Sequence, residues 1–330
     1  MKQTRNFMLI VGISILVLFA FACSSKANPS PLPTDAPAPL PTATNTQSLI
    51  QLKDGLGNVI ELAHPAQRIV SLAPSNTEIL FAIGAGAQVV GRDSFSDYPA
   101  EAGKIKDIGG GFGQLNTEEI VALEPDLVLA SALSSAEQVK ALQDLGLKVF
   151  SLPNPTDFDG LYINLLTVAT LTGRTNEAQA LISTLKSRVQ AVEAKMATVE
   201  KRPLVFYELD STQPDAPWTA GPNTFIDTLI TMAGGTNFGH ELNGDWVQVS
   251  IEEIIRREPD LILLGDATWG GVTVESVAAR PGWNKLQAVQ HGMVFFFDDN
   301  LVSRPGPRLV DGLEAMAVML QPQLFPTPTP

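Results

Sequence analysis

Side chains able to do bond-breaking chemistry are few and scattered in this chain of 330 residues. The three histidines stand at 64, 240 and 291, and no GxSxG, HExxH or P-loop pattern occurs. A hydrolase needs a nucleophile within reach of a partnered base, and nothing in the spacing supplies one. The chain therefore reads as a binding protein and not an enzyme, with no resident cofactor and no metal site. His240, in FGHELNGDW close to Trp246, is the one histidine worth testing as a metal contact. The single cysteine, Cys23, rules out an internal disulfide, a CxxC redox pair and a cysteine-based zinc cluster. With 22 Lys+Arg against 35 Asp+Glu, the formal charge of −13 also argues against nucleic acid, whose affinity comes from cations on phosphates.

Two sets of residues remain. The first is a repeated carboxylate pair: Asn116-Thr-Glu118-Glu119-Ile through Glu124-Pro125-Asp126-Leu-Val-Leu129 recurs as Ser250-Ile-Glu252-Glu253-Ile through Glu258-Pro259-Asp260-Leu-Ile-Leu263. After the leading Asn or Ser, 8 of 13 positions are identical at an offset of 134. Asn116 and Ser250 are placed as helix N-caps, and the acid three positions on, Glu119 or Glu253, is expected to complete a capping box. Glu118 and Glu252 gain a little from the helix dipole but have no capping partner. They should project as matching acidic studs.

The second set is aromatic. Phe95 and Tyr98 lie in DSFSDYP, Phe112 in GGGFGQLN, Trp218 in DAPWTAG, Trp246 in NGDWVQVS and Trp269 in DATWGG, all polar or Gly-rich stretches that read as loops. Asn300 and Arg304 lie in DDNLVSRPGPR. Aromatic rings in such settings leave apolar area in water unless something covers it. A broad, flat, largely uncharged macrocycle suits them. A ligand with several negative charges would need convergent cations; the candidates are Arg92, Arg304 and Arg308, and Arg308 is better placed to serve the start of the last helix. Tyr98 is an axial-ligand candidate for haem, although Ser-Asp-Tyr-Pro reads as a structural turn.

The elements that must position these residues read as alternating α/β. A strand at 68–72, a turn at 73–76 and a helix at 77–83 ended by Gly84 and Gly86 lead into a second strand at 89–91. The pair Gly84-Ala-Gly86 follows a helix, so it reads as a C-cap and not as a dinucleotide loop. Both copies of the repeat run helix, Pro-Asp turn, buried apolar strand, which is the order of a parallel α/β lobe used twice. Between the copies, residues 176–199 carry apolar side chains at helical spacing with no Pro or Gly, a rod of roughly 36 Å that limits hinge motion. The expected fold is α/β: two Rossmann-like lobes, each with a central parallel sheet, joined by one long helix, with a ligand cleft between strand C-terminal ends.

The domain plan places an N-terminal lobe at 49–174, the interlobe helix at 175–200, a second lobe at 201–325 and a frayed tail at 326–330. Ahead of these, Lys2 and Arg5 precede an apolar run from Phe7 to Ala22, with small residues Ala20 and Ala22 before Cys23. This is the pattern of a secretory signal peptide, 1–22, too short to span a bilayer. Residues 23–48, rich in Pro, Thr, Ser and Ala, read as an extended tether. The chain is expected to be a monomer.

Several stretches carry a family resemblance. Cys23 directly after the small residues resembles the lipobox of bacterial lipoproteins, with Ala20 in place of the usual Leu; this implies lipid attachment at Cys23 and an extracytoplasmic, membrane-anchored location. RIVSLAPSNTEILFAIGAG, the Ser96-Asp97-Tyr98-Pro99 turn, both EEI repeats, Arg280-Pro-Gly-Trp283 and Arg304-Pro-Gly-Pro-Arg308 together resemble the helical-backbone substrate-binding proteins of ABC importers. That family includes cobalamin-, ferric siderophore- and haem-binding members. The resemblance implies a corrinoid or iron-chelate ligand, with a cobalamin-type corrinoid first, and as partners an importer permease and its ATPase. It implies that Glu118 and Glu252 dock onto arginines of the transporter. It also implies that Phe95, Phe112, Trp218 and Trp246 line the cleft as aromatics do in cobalamin-binding members. A sensor or adhesin on the same fold is the less favoured role.

Overall fold

The computed structural model describes residues 49–110 and 115–325. The signal segment, Cys23, the tether, Phe112 and the tail at 326–330 lie outside the described residues.

A hairpin of β1 (Ile50–Lys53) and β2 (Val59–Leu62) opens the chain. The first lobe then runs β3 (Ile69–Ser71), α1 (Pro74–Ala82), β4 (Val89–Arg92), α2 (Thr117–Ala122), β5 (Leu127–Ser131), α3 (Ala136–Asp144), β6 (Val149–Leu152) and α4 (Phe158–Thr172). Its four strands form a parallel sheet of order β4-β3-β5-β6. The long helix α5 (Thr175–Met196) crosses to the second lobe; its 22 residues span about 33 Å. There β7 (Leu204–Glu208), β8 (Trp218–Ala220), α6 (Phe225–Met232), β9 (Thr236–Asn237), β10 (Trp246–Gln248), α7 (Ile251–Arg257), β11 (Leu261–Leu264), α8 (Ala267–Gly270), α9 (Val274–Ala278), α10 (Gln287–Gln290), β12 (Val294–Phe296) and α11 (Leu309–Leu320) follow. The second parallel sheet has order β12-β11-β7-β9, and β8 and β10 form a separate antiparallel ribbon.

Strands β5 and β11 are buried along their whole length, as parallel strands covered by helices on both faces should be. One apolar core runs through both lobes: Ile69, Leu80 and Leu165, then Leu185 and Val192 of α5, then Leu229, Leu263 and Leu313. Each lobe has a second core on its outer face, around Ile120, Val139 and Leu142 in the first and Ile254, Val277 and Trp283 in the second. The lobes are thus joined by shared packing as well as by α5. Phe158 at the start of α4 meets Phe225 at the start of α6 edge to face at 5.2 Å, and Thr228 donates to the Thr156 carbonyl at 2.8 Å. Arg188 of α5 holds Asp311 and Glu314 of α11 at 2.6 Å each.

The repeat has a structural purpose in common. Glu124 and Glu258 both take positive φ, 47° and 49°, ending α2 and α7. The Asp of each Glu-Pro-Asp turn then accepts from the chain entering the neighbouring strand: Asp126 from the Gln67 and Arg68 amides, Asp260 from that of Leu204. Two expectations need correction. Helix α1 begins at Pro74, not at residue 77, because Pro at the first helical position loses no intrahelical bond. The capping boxes are half formed: Asn116 and Ser250 accept from the amides of Glu119 and Glu253, but those two carboxylates turn away, Glu119 to Lys106 at 3.3 Å and Glu253 to Arg256 at 2.5 Å.

Candidate functional site

Strand polarity brings the candidates to one rim. In a parallel sheet the loops leaving strand C-termini lie on the same edge. In the first lobe this edge carries Phe95 and Tyr98 after β4, both exposed, and Leu133 after β5. In the second it carries the β8–β10 ribbon, fixed to the end of β7 by the Leu209–Trp218 and Trp218–Asp210 backbone bonds, with Trp269 after β11 and Asn300 and Arg304 after β12.

The tryptophans were expected in loops, but each sits in a short element. Trp218 opens β8 and pairs with Gln248, while Trp246 opens β10 and pairs with Ala220. Residues two apart in a strand share a face, so Trp218 and Trp246 are diagonal neighbours on one face of the ribbon, typically ~7–8 Å apart. The ribbon is a platform for two rings: Trp218 is half-buried and Trp246 is 49% exposed. Its tight build is visible at Gly221, where a Cβ would lie 1.9 Å from the Gly244 carbonyl oxygen. Trp269, 55% exposed, sits in α8 behind Asp266. Trp283, by contrast, is fully buried, its indole donating to the Pro214 carbonyl at 3.2 Å.

A buried ionic strut supports this side. Arg280 grips Glu208, at the end of β7, through two bonds of 2.5 and 2.9 Å, and also reaches Ser211 at 2.9 Å. The Ser211 amide and hydroxyl in turn donate to Asp266 at 2.9 and 2.5 Å, tying the loop before Trp218 to the helix bearing Trp269. Burial pushes the Glu208 carboxyl up despite Arg280, and likewise that of Asp299, which accepts from Tyr207 at 3.1 Å.

The two lobes touch at the rim through charge. Arg308 donates bidentately to Glu78 of α1 at 2.9 and 2.5 Å, and its guanidinium stacks 4.1 Å over the Tyr98 ring. Arg304 bonds Asp97 at 2.5 Å and approaches Glu78 at 3.5 Å. The side chains of Glu78, Arg304 and Arg308 are 2%, 13% and 14% exposed, whereas Asp97 is 72% exposed. Arg92 is spent as well, on the Ala102 and Asp93 carbonyls and on Asp107. Every cation proposed from the sequence is therefore neutralised internally. Arg308 does not merely begin the last helix; it bridges the lobes.

Other candidates separate from the rim or lose capacity. Asn300 spends its amide on Asp298 at 2.9 Å. His240 is held by Asp227 at 3.0 Å and lines a different groove, with Met196, Arg202 and Met232 beside the C-terminal end of α5. No cluster of three metal-ligating side chains occurs among the described residues. Glu118 and Glu252 are exposed in the first turns of α2 and α7, and their carboxylates make no ion pair or side-chain hydrogen bond among the described residues. Both helices run back antiparallel to the strands, so the two carboxylates stand on the same edge as the aromatic rim. Sequence reasoning missed Leu133, 91% exposed, and the Glu78 and Asp97 carboxylates. Leu133 was legible as the lone large apolar residue in SALSS.

Two parallel-sheet lobes on a long helix, with a solvent-facing aromatic rim where their strand ends meet, define a bilobal solute-binding protein. The match to the periplasmic binding protein family over residues 69–301 places the chain in that family, and it is a binding protein, not an enzyme. It is 33% identical over 281 residues to an uncharacterized ABC transporter substrate-binding lipoprotein of Bacillus subtilis, covering 84% of this chain and 87% of that one. It is 32% identical over 274 residues to a cobalamin-binding protein of Halobacterium salinarum, covering 80% and 72%. A solved structure from Staphylococcus epidermidis, described as a possible iron-binding periplasmic solute-binding protein, superposes with a TM-score of 0.68 at 32% identity, covering 78% of this chain and all of that one.

Proposed function

We propose that the protein captures a cobalamin-type corrinoid between its lobes and delivers it to an ABC importer. The observation that carries this reading is the pairing of an exposed aromatic rim with a full set of internally neutralised cations. Such a rim gains by covering ring faces and offers an anion no unpaired guanidinium among the described residues. Phe95, Tyr98, Trp218, Trp246 and Trp269 would bury the ligand, with Phe112 as a sixth aromatic, while Asn300 and Arg304, already held by Asp298 and Asp97, would add polar surface to the rim without a free donor for an anion. The relatives named for substrate-binding lipoproteins and cobalamin support the class and the ligand. In this reading Glu118 and Glu252 engage a cationic transporter, Cys23 bears the lipid, 24–47 is the tether, and the protein works as a monomer outside the cytoplasm. No described helix is long and apolar enough to cross a membrane.

Isothermal titration with cyanocobalamin, cobinamide, haem and a ferric siderophore panel tests the proposal; heat with a corrinoid is expected, and none with either corrinoid would defeat it. A second reading, an iron chelate, is favoured by the likeness to the possible iron-binding protein, and the same titration separates the two.

A further inference from the structure

Among the charged groups where the lobes meet, Asp97 is unlike its neighbours. The side chains of Glu78, Arg304 and Arg308 are 2%, 13% and 14% exposed and hold one another, whereas Asp97 is mostly exposed and bonds Arg304 at 2.5 Å. Burial raises the Asp97 carboxyl, but the Arg304 hydrogen bond and charge outweigh it and hold it below the ordinary carboxylate range. Glu78 is matched by the bidentate Arg308 grip. With Asp97 neutral, Arg304 would keep only the 3.5 Å approach to Glu78 as an ion pair. Asp298 and Asp299, on the loop ahead of Arg304, and Asp93, on the loop ahead of Asp97, add negative charge around it without bonding its guanidinium.

We propose that Asp97 is a specificity-determining residue: by occupying Arg304 across the lobes it excludes anionic chelates from a cleft built for uncharged ones. The inference rests on the cleft reading above and deepens it, because it names the charge class the cleft rejects. An anion entering the rim must either displace Asp97 from Arg304 or accept a carboxylate beside its own charge, and both are unfavourable. Leaving Asp97 exposed places the repulsive group where an incoming ligand meets it, while the buried Glu78–Arg308 pair keeps the lobes together. Asp97→Asn retains an oxygen that can accept from Arg304, so the fold and the lobe contact should persist.

The test is a titration of the wild-type protein, Asp97→Asn and Asp97→Glu with three probes: cyanocobalamin, an uncharged ferric trihydroxamate and a ferric tris(catecholate) trianion. Asp97→Asn is expected to bind the trianion at least about tenfold tighter than wild type, the effect of one unit charge removed a few Å from a multiply charged ligand. The gain should shrink in 0.5 M salt, about the ionic strength at which exposed charges are screened beyond a few Å, and Asp97→Glu should restore the wild-type preference. Affinity for whichever uncharged probe binds should stay within twofold. An unchanged or undetectable trianion affinity in a folded Asp97→Asn overturns the inference, as does a wild-type protein that prefers the trianion. If the trianion gain appears while no variant binds cyanocobalamin, the charge filter stands and the corrinoid reading falls.

Discussion

Removing the Glu78 carboxylate should destabilise the protein by about 3 kcal/mol, chiefly through the joint between the lobes. Its side chain is 2% exposed and meets the Arg308 guanidinium at 2.9 and 2.5 Å, with Arg304 at 3.5 Å. Taking one partner from a buried ion pair typically costs ~3–5 kcal/mol, because the remaining charge stays desolvated and unmatched. The lower end applies here: both arginines keep some water contact, and Asp97 still holds Arg304. Glu78→Gln preserves the volume and removes the charge, so the loss is electrostatic and not a cavity. Urea unfolding of wild type, Glu78→Gln, Arg308→Met and the double variant forms a cycle whose coupling energy should be about 2 kcal/mol, within the range for groups in direct contact. A loss below 1 kcal/mol for Glu78→Gln, or additivity of the two changes, would show that the pair is not the electrostatic joint described.

Four further outcomes are expected. Trp218→Ala and Trp246→Ala should each weaken ligand binding by roughly 1–3 kcal/mol if the ring is buried against ligand, read by titration; unchanged affinity would return them to the surface of their own lobe. Gly221→Ala should lower stability by about 3 kcal/mol, because its Cβ would meet the Gly244 carbonyl at 1.9 Å, where only backbone movement can relieve it; a thermal midpoint equal to wild type contradicts this. Asp107 is held below the ordinary carboxylate range, first by the Gly109 amide and then by Ser94 and Arg92. A depressed folded pKa gives stability that is present above the unfolded value, near 3.9, and lost as pH falls through the folded one, so the urea midpoint of Asp107→Asn should fall less steeply than wild type below about pH 4. Charge reversal of both Glu118 and Glu252 should abolish transport in a reconstituted importer while leaving ligand affinity intact, and surviving transport would refute their docking role.

Much of the framework was legible in the residues, and the reason is physical. Strands β5 and β11 read as LVLAS and LILL because a strand covered on both faces is apolar throughout, and the Glu-Pro-Asp turns repeat because both lobes need the same helix stop and strand clasp. The β8–β10 ribbon was not legible: its strands of three residues each are separated by α6 and β9, so no hairpin turn announces them. The hairpin β1–β2 and the start of α1 did carry local signals, Asp54-Gly55 between the alternating IQLK and VIEL and Pro74 at the first helical position, and were overlooked. In the candidate site, residue types singled out Phe95, Tyr98 and the tryptophans of β8, β10 and α8, and the structure places them after strand C-termini or on the ribbon at the end of β7. Charge neutralisation did not show, since Arg304 finds Asp97 207 positions away and Arg308 finds Glu78 230 positions away. Only the chain path decides which carboxylate a given arginine meets.

That path also limits how the protein can open. A clamp whose lobes are linked by extended strands can separate widely, but here the core is continuous from Leu165 through Leu185 to Leu313, and Phe158 and Phe225 interlock at its edge. Wide opening would expose this packing and break the Glu78 joint, at a cost comparable with a whole domain's stability of ~5–15 kcal/mol. Ligand entry is therefore expected to occur at the rim, by small rotations and by rearrangement of the exposed groups: Tyr98, Leu133, Trp246, Trp269 and Asp97. Of these, Leu133, Trp246 and Trp269 face solvent, Asp97 and Tyr98 must first part from Arg304 and Arg308, and the Glu78 joint lies beneath them. Affinity differences between ligands should then arise from ring coverage and charge at the rim, with little contribution from the degree of closure.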